Sequence, residues 1–101
     1  MTNLEKLQQA IAASGLDAML LVDPKNRFYV TGFQSSAGAA VVTRDDAWLF
    51  TDSRYIEAAE RAAVGQYHVG QNDRSHSLGS LVKGVLTDRG LTKLGGEEHS
   101  L

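Results

Sequence analysis

Two five-residue apolar runs, Ala39-Ala40-Val41-Val42-Thr43 and Ala47-Trp48-Leu49-Phe50-Thr51, are separated only by Arg44-Asp45-Asp46. A parallel pair needs a crossover of about a dozen residues, so a connector this short and polar lets both runs enter one sheet only as an antiparallel hairpin. A third run, Ala18-Met19-Leu20-Leu21-Val22, is continuously apolar between turn formers, the pattern of a strand buried on both faces. We place it as a central strand. A sheet of such strands must be covered by helices on both sides, and the remaining sequence is rich in helical patterns.

Leu4, Leu7, Ala10 and Ile11 fall at helical spacing, with Thr2 and Glu5 set as a capping box and Gly15 as a stop. Asp23-Pro24 pairs a carboxylate N-cap with a proline at the first helical position, opening a short helix over Pro24 to Val30 that Gly32 ends. After the hairpin, Asp52 is placed to cap a helix whose Tyr55, Ile56, Ala59 and Ala63 share one face before Gly65. Gln66 to Val69 reads as a weak strand. Ser75 or Ser77 opens a further helix with Leu78, Leu81, Val82, Val85 and Leu86 on one stripe, stopped at Gly90, and Lys93 to Glu97 reads as a last strand. The expected fold class is therefore α/β: a mixed sheet of about five strands with helices on its faces.

The 101 residues allow one domain with one core, and 43% hydrophobic with 22% charged residues is globular composition. We take residues 1–101 as a single domain. The sequence stops without a terminator or polar tail, so a fragment of a longer chain is expected. A net charge of −2 with dispersed lysines and arginines gives no footprint for nucleic acid or an anionic membrane. Without cysteine there is neither a disulfide framework nor a thiolate metal site. The first residues lack a signal-peptide profile, and no apolar run approaches the ~20 residues of a membrane span, so a cytoplasmic location is expected.

Chemistry-bearing residues are few. His68, His76 and His99 have no second ligand at a spacing that would aim two donors at one metal, and exposed histidines are expected. Asp45-Asp46 is the carboxylate pair a hairpin turn selects for its own backbone bonds. The small-residue loop from Gly32 to Gly38 lacks both the nucleophile-elbow and the phosphate-loop spacings, and reads as pliable backbone that a neighbouring chain or a small molecule could approach. Thr51-Asp52-Ser53-Arg54-Tyr55 places an arginine and a tyrosine off the end of the sheet. One reading makes this a recognition surface. The plainer one has Asp52 capping, Tyr55 packing and Arg54 pairing with a nearby carboxylate.

Taken together, the residues resemble the N-terminal domain shared by creatinase, prolidase and aminopeptidase P. The resemblance rests on Leu16-Asp17-Ala18-Met19-Leu20-Leu21, Pro24-Lys25-Asn26-Arg27-Phe28-Tyr29-Val30-Thr31-Gly32-Phe33, Ser36-Ala37-Gly38-Ala39, Phe50-Thr51-Asp52-Ser53-Arg54-Tyr55 and Gly96-Glu97-Glu98. It implies a ribonuclease H-like α/β layer that precedes a catalytic pita-bread domain, which in the peptidases holds two divalent metal ions (Mn, Co or Zn) and attacks Xaa-Pro bonds. Those ligand motifs do not occur in this sequence, so no catalytic, cofactor-binding or metal-binding residue is expected in it. The implied role is non-catalytic: contact with its own catalytic domain and with neighbouring subunits of a homo-oligomer, and shaping of the cleft for a proline-containing peptide. Phe33, Ser35, Arg54 and Tyr55 are the candidates for that surface. A creatinase-like amidinohydrolase parent and an independent small-molecule-binding module using the Gly32 to Gly38 loop are the alternatives. An independent small hydrolase would need a nucleophile or ligand geometry that the sequence does not offer.

Overall fold

The hairpin and the buried strand organise the molecule. A computed structural model describes residues 2–33, 38–73 and 75–95. The elements run α1 (Asn3–Ala13), β1 (Ala18–Leu21), α2 (Pro24–Thr31), β2 (Ala39–Thr43), β3 (Ala47–Thr51), α3 (Ile56–Ala63), β4 (His68–Gln71), α4 (Leu78–Asp88) and β5 (Leu94–Gly95). They form one five-stranded sheet in the order β4-β3-β2-β1-β5. The β2–β3 hairpin is antiparallel, as is β1 with β2, whereas β4 runs parallel to β3 and β5 parallel to β1. The carboxyl ends of β1 and β3 and the amino end of β2 therefore meet at one edge. β1 is an interior strand, but the middle place belongs to β2, all five of whose residues are buried.

The period-two alternation of the strands divides the core. Leu21, Ala40, Val42, Ala47 and Leu49 face Leu4, Leu7 and Ile11 of α1, Val30 of α2, and Ala59 and Ala63 of α3. On the other face, Ala18, Val41 and Phe50 meet Val82 of α4, with Leu78, Leu81, Val85 and Leu86 packed partly buried around it. The expected stripe of α4 does face the sheet, with Val82 as its deepest residue rather than Leu81 or Val85.

The caps explain the helix limits. The Thr2 hydroxyl accepts the Glu5 N–H at 3.1 Å while the Glu5 carboxylate accepts the Thr2 N–H at 2.9 Å, a complete capping box. Asp23 accepts the Lys25 N–H at 2.8 Å, and Gly32, with φ of +73°, ends α2 one residue later than expected. Ser77, not Ser75, caps α4. The expected Asp52 cap of α3 is not formed. Its carboxylate is engaged two residues on by the Arg54 N–H and guanidinium, so residues 53–55 turn first and the helix begins at Ile56. Gln66 closes the turn off α3 by donating to Ala63 and Tyr67 is buried beneath it, which moves β4 along to His68–Gln71. The last strand is described only at Leu94 and Gly95; Gly96 and Glu97 lie outside the described residues.

Candidate docking surface

The edge where β1 and β3 leave the sheet brings three of the four candidate residues together. Phe33 follows the C-cap of α2, its N–H donating to the Thr31 hydroxyl at 3.2 Å. Its ring meets the Tyr55 ring edge-on, centroids 6.2 Å apart at 79°, the arrangement that aromatic quadrupoles favour. The Arg54 guanidinium lies over the other partner, 5.2 Å from the Tyr55 centroid. Ser35 lies outside the described residues.

Arg54 is not an idle charge. Its Nη2 donates to Asp52 Oδ2 at 2.7 Å and its Nε donates to both carboxylate oxygens at 3.2 Å. This bond holds the Asp52 carboxyl below its usual range and raises the Arg54 guanidinium in turn. The plainer reading of the pentapeptide is thus realised for Arg54, which pairs with a near carboxylate, while its side chain remains 66% exposed. A pair this open can exchange partners cheaply, because exposed ion pairs contribute little.

The sequence reading missed Arg27. It is 2% exposed, the only charged side chain buried among the described residues, and its Nη1 donates to the carbonyl oxygens of Val22 at 3.0 Å and of Gly38. Arg27 and Val30, one helical step apart, are the two buried positions of α2, but in the sequence the apolar Phe28 and Tyr29 compete for that face and nothing marks the arginine as the buried one. Phe28 and Tyr29, on the opposite face of that helix, are about half exposed.

Asp45-Asp46 does serve the hairpin turn. Asp46 accepts the Ala47 N–H at 2.9 Å and its own N–H donates to the Thr43 hydroxyl at 2.8 Å. Asp46 also meets His68 Nε2 at 3.0 Å and accepts from Arg89 Nη2 at 3.0 Å, and the Trp48 ring lies 5.3 Å from the His68 ring and 5.0 Å from the Arg89 guanidinium. His68 and His76 are exposed, as expected, and His99 lies outside the described residues. Among the described residues no three His, Cys, Asp or Glu side chains come close enough to hold a metal ion. Nor is any helix among them long and apolar enough to cross a membrane.

Residues 3–101 match the family model described as the Creatinase/Prolidase N-terminal domain. The chain belongs to this family. Among solved members of the creatinase/prolidase group, the N-terminal domain of the cytoplasmic peptidase PepQ from Mycobacterium tuberculosis H37Rv is 41% identical, with a TM-score of 0.81 over 96% of this chain and 73% of that one. The Xaa-Pro dipeptidase from Bacillus anthracis is 30% identical, with a TM-score of 0.83 over 98% of this chain and 27% of that one. The uncharacterized peptidase YqhT of Bacillus subtilis (strain 168) is 35% identical over 97% of this chain and 27% of its own length. This creatinase/prolidase N-terminal domain therefore spans about a quarter of those two peptidases and about three quarters of the PepQ domain. The mixed five-stranded sheet with its helices is the fold shared with the two solved relatives.

Proposed function

We propose that this chain is the non-catalytic N-terminal domain of an Xaa-Pro peptidase, and that the Phe33–Arg54–Tyr55 edge docks against the catalytic domain or a neighbouring subunit, where it helps wall the substrate cleft. The observation that carries the docking reading is the joined trio itself: two aromatic rings in contact, with a cation on top, where loops leave the sheet. Aromatic rings and arginine are what protein interfaces use at their anchor points. A peptidase parent is favoured over a creatinase-like amidinohydrolase because the dipeptidase relative is named for Xaa-Pro substrates. Two divalent metal ions would then belong to the catalytic domain. A cytoplasmic location accords with the name of the PepQ relative.

Two measurements test this reading. The 101-residue chain should not hydrolyse Xaa-Pro peptides with or without Mn²⁺ or Zn²⁺; turnover that follows the protein peak through repurification would overturn the non-catalytic assignment. In the full-length enzyme that carries this domain, Phe33→Ala and Arg54→Ala should weaken subunit association in sedimentation or raise KM, while the melting temperature of the isolated chain with Arg54→Ala stays close to the parent value. Normal assembly and kinetics for both variants would remove the docking role.

A further inference from the structure

Burying a guanidinium is costly, and a well-packed apolar residue of similar size would often stabilise a domain as well or better. Arg27 therefore calls for a role that methionine or leucine could not fill. Its fork of rigid donors reaches two backbone segments at once. Nη1 donates to Val22, where the chain leaves β1, and to Gly38, where it enters β2, so one side chain of α2 fastens both strand ends to the helix.

Each end of that clamp continues toward the docking trio. On the helix side, the Arg27 carbonyl accepts the Thr31 hydroxyl at 2.7 Å, and the same hydroxyl accepts the Phe33 N–H at 3.2 Å. The Thr31 carbonyl in turn accepts the buried Tyr67 hydroxyl at 3.3 Å, which ties the end of α2 to the segment before β4. On the strand side, Gly38 has φ of +140°, and a Cβ there would run into the carbonyl of Phe50 and stand 3.5 Å from Thr51 Cα. No side chain fits there. Thr51 is fully buried and leads directly into Asp52-Ser53-Arg54-Tyr55. The path thus runs from Phe33 through Thr31 and Arg27 to Gly38, and from Gly38 across to Thr51 at the end of β3, from which the turn that holds Tyr55 departs.

We infer that Arg27 is the positioning residue of the docking surface: by fixing the end of α2 relative to the exit of β3, it sets the distance at which Phe33 meets Tyr55. The docking role of those rings rests on the function proposed above, but the positioning does not. It is measured within the chain alone, with no partner present, so its failure and the failure of the docking reading are distinguishable. Lysine keeps the charge and loses the fork; methionine keeps the volume and loses both.

The experiment is solution NMR of the labelled 101-residue chain, comparing Arg27→Lys and Arg27→Met with Val30→Ala, a plain core truncation on the same helix face. In both Arg27 variants the β1–β2–β3 ladder amides should keep their protection, while the Phe33–Tyr55 ring cross-peaks disappear and the Phe33 amide exchanges faster by about tenfold or more. Val30→Ala should lower thermal stability and keep those cross-peaks. Cross-peaks that persist in both Arg27 variants would overturn the inference. So would their equal loss in Val30→Ala, or the unfolding of both Arg27 variants, since Arg27 would then serve the fold at large and not this surface.

Discussion

Asp17, half-buried just ahead of β1, does more for this fold than a single surface carboxylate usually does. Its Oδ2 accepts the Thr92 N–H at 3.0 Å, the Lys93 N–H at 3.0 Å and the Thr92 hydroxyl at 3.3 Å, pinning the approach to β5, a strand paired with β1 over only two residues. The backbone N–H groups of Lys93 and Thr92 are the main reason its carboxyl sits below the usual carboxylate range, with Arg44 a minor one. A carboxyl depressed in the folded state contributes stability that is fully present above its unfolded value and is lost as pH falls through the folded one. Asp17→Ala should therefore lower the urea midpoint at pH 7, and the gap from the parent should close as the pH drops below the ordinary carboxylate range. A gap that stayed constant down to the acid transition would mean that the pin is not working as a charge. At this scale the sequence was readable where a side chain bonds within its own turn, as with Thr2, Glu5, Asp23 and Ser77. It was not readable for Asp17 and Arg27, because Thr92 and Lys93 lie some 75 residues from Asp17 and Gly38 is not helical with Arg27, and no local spacing encodes such partners. Asp52 shows the reverse error: a good N-cap residue is equally good for a turn, and the arginine two residues on decides between them.

Strands and helices were legible wherever burial imposes a period, and less so at strand β4, whose residues are exposed or half-buried and carry little pattern. Its glycine is more informative than its apolar residues. Gly70 stands opposite Phe50 in the parallel β3–β4 pair, and a Cβ there would come within 2.6 Å of the Phe50 ring, itself buried against Val41 and Val82. Gly84 lies within α4, and nothing stands within 4 Å of where a Cβ would be. The two glycines should therefore respond oppositely to one methyl group. Gly70→Ala overpacks a settled ring and should cost about 1–3 kcal/mol, whereas Gly84→Ala removes unfolded-state freedom and should add about 0.5–1 kcal/mol. Urea denaturation of the two variants checks both signs. A neutral Gly70→Ala would mean that β4 stands off from Phe50 and that the sheet is looser at this edge than the register implies. The same local view revises α4: Leu81 is only partly buried, so Leu81→Ala should fall at the low end of the roughly 2–5 kcal/mol that leucine truncations cost.

At the scale of the whole molecule the sheet is a shared wall. α1, α2 and α3 cover one face and α4 the other, and every strand from β1 to β3 contributes alternate residues to both clusters. The mixed-sheet class followed from the hairpin and the helix spacing, but the placing of β1 off centre did not, because strand order depends on which helix crosses which face, and apolar runs of equal strength carry no record of that. A wall common to both cores should make them fail together, since neither layer keeps a buried surface once the strands part. Ile11 and Trp48 allow this to be examined from opposite sides. Ile11, 1% exposed, packs in the cluster under α1, whereas Trp48 packs in the cluster under α4 and is the chain's only tryptophan. Ile11→Ala should cost about 2–5 kcal/mol, a large share of the ~5–15 kcal/mol that holds a domain of this size. The loss should appear as one and the same shift of the urea midpoint by far-UV circular dichroism, which reports all helices, and by Trp48 fluorescence, which reports the far face. A circular dichroism midpoint that fell while the Trp48 midpoint stayed would show that α4 and the strands beneath it outlast the α1 face, and the domain would then be two stacked units rather than one.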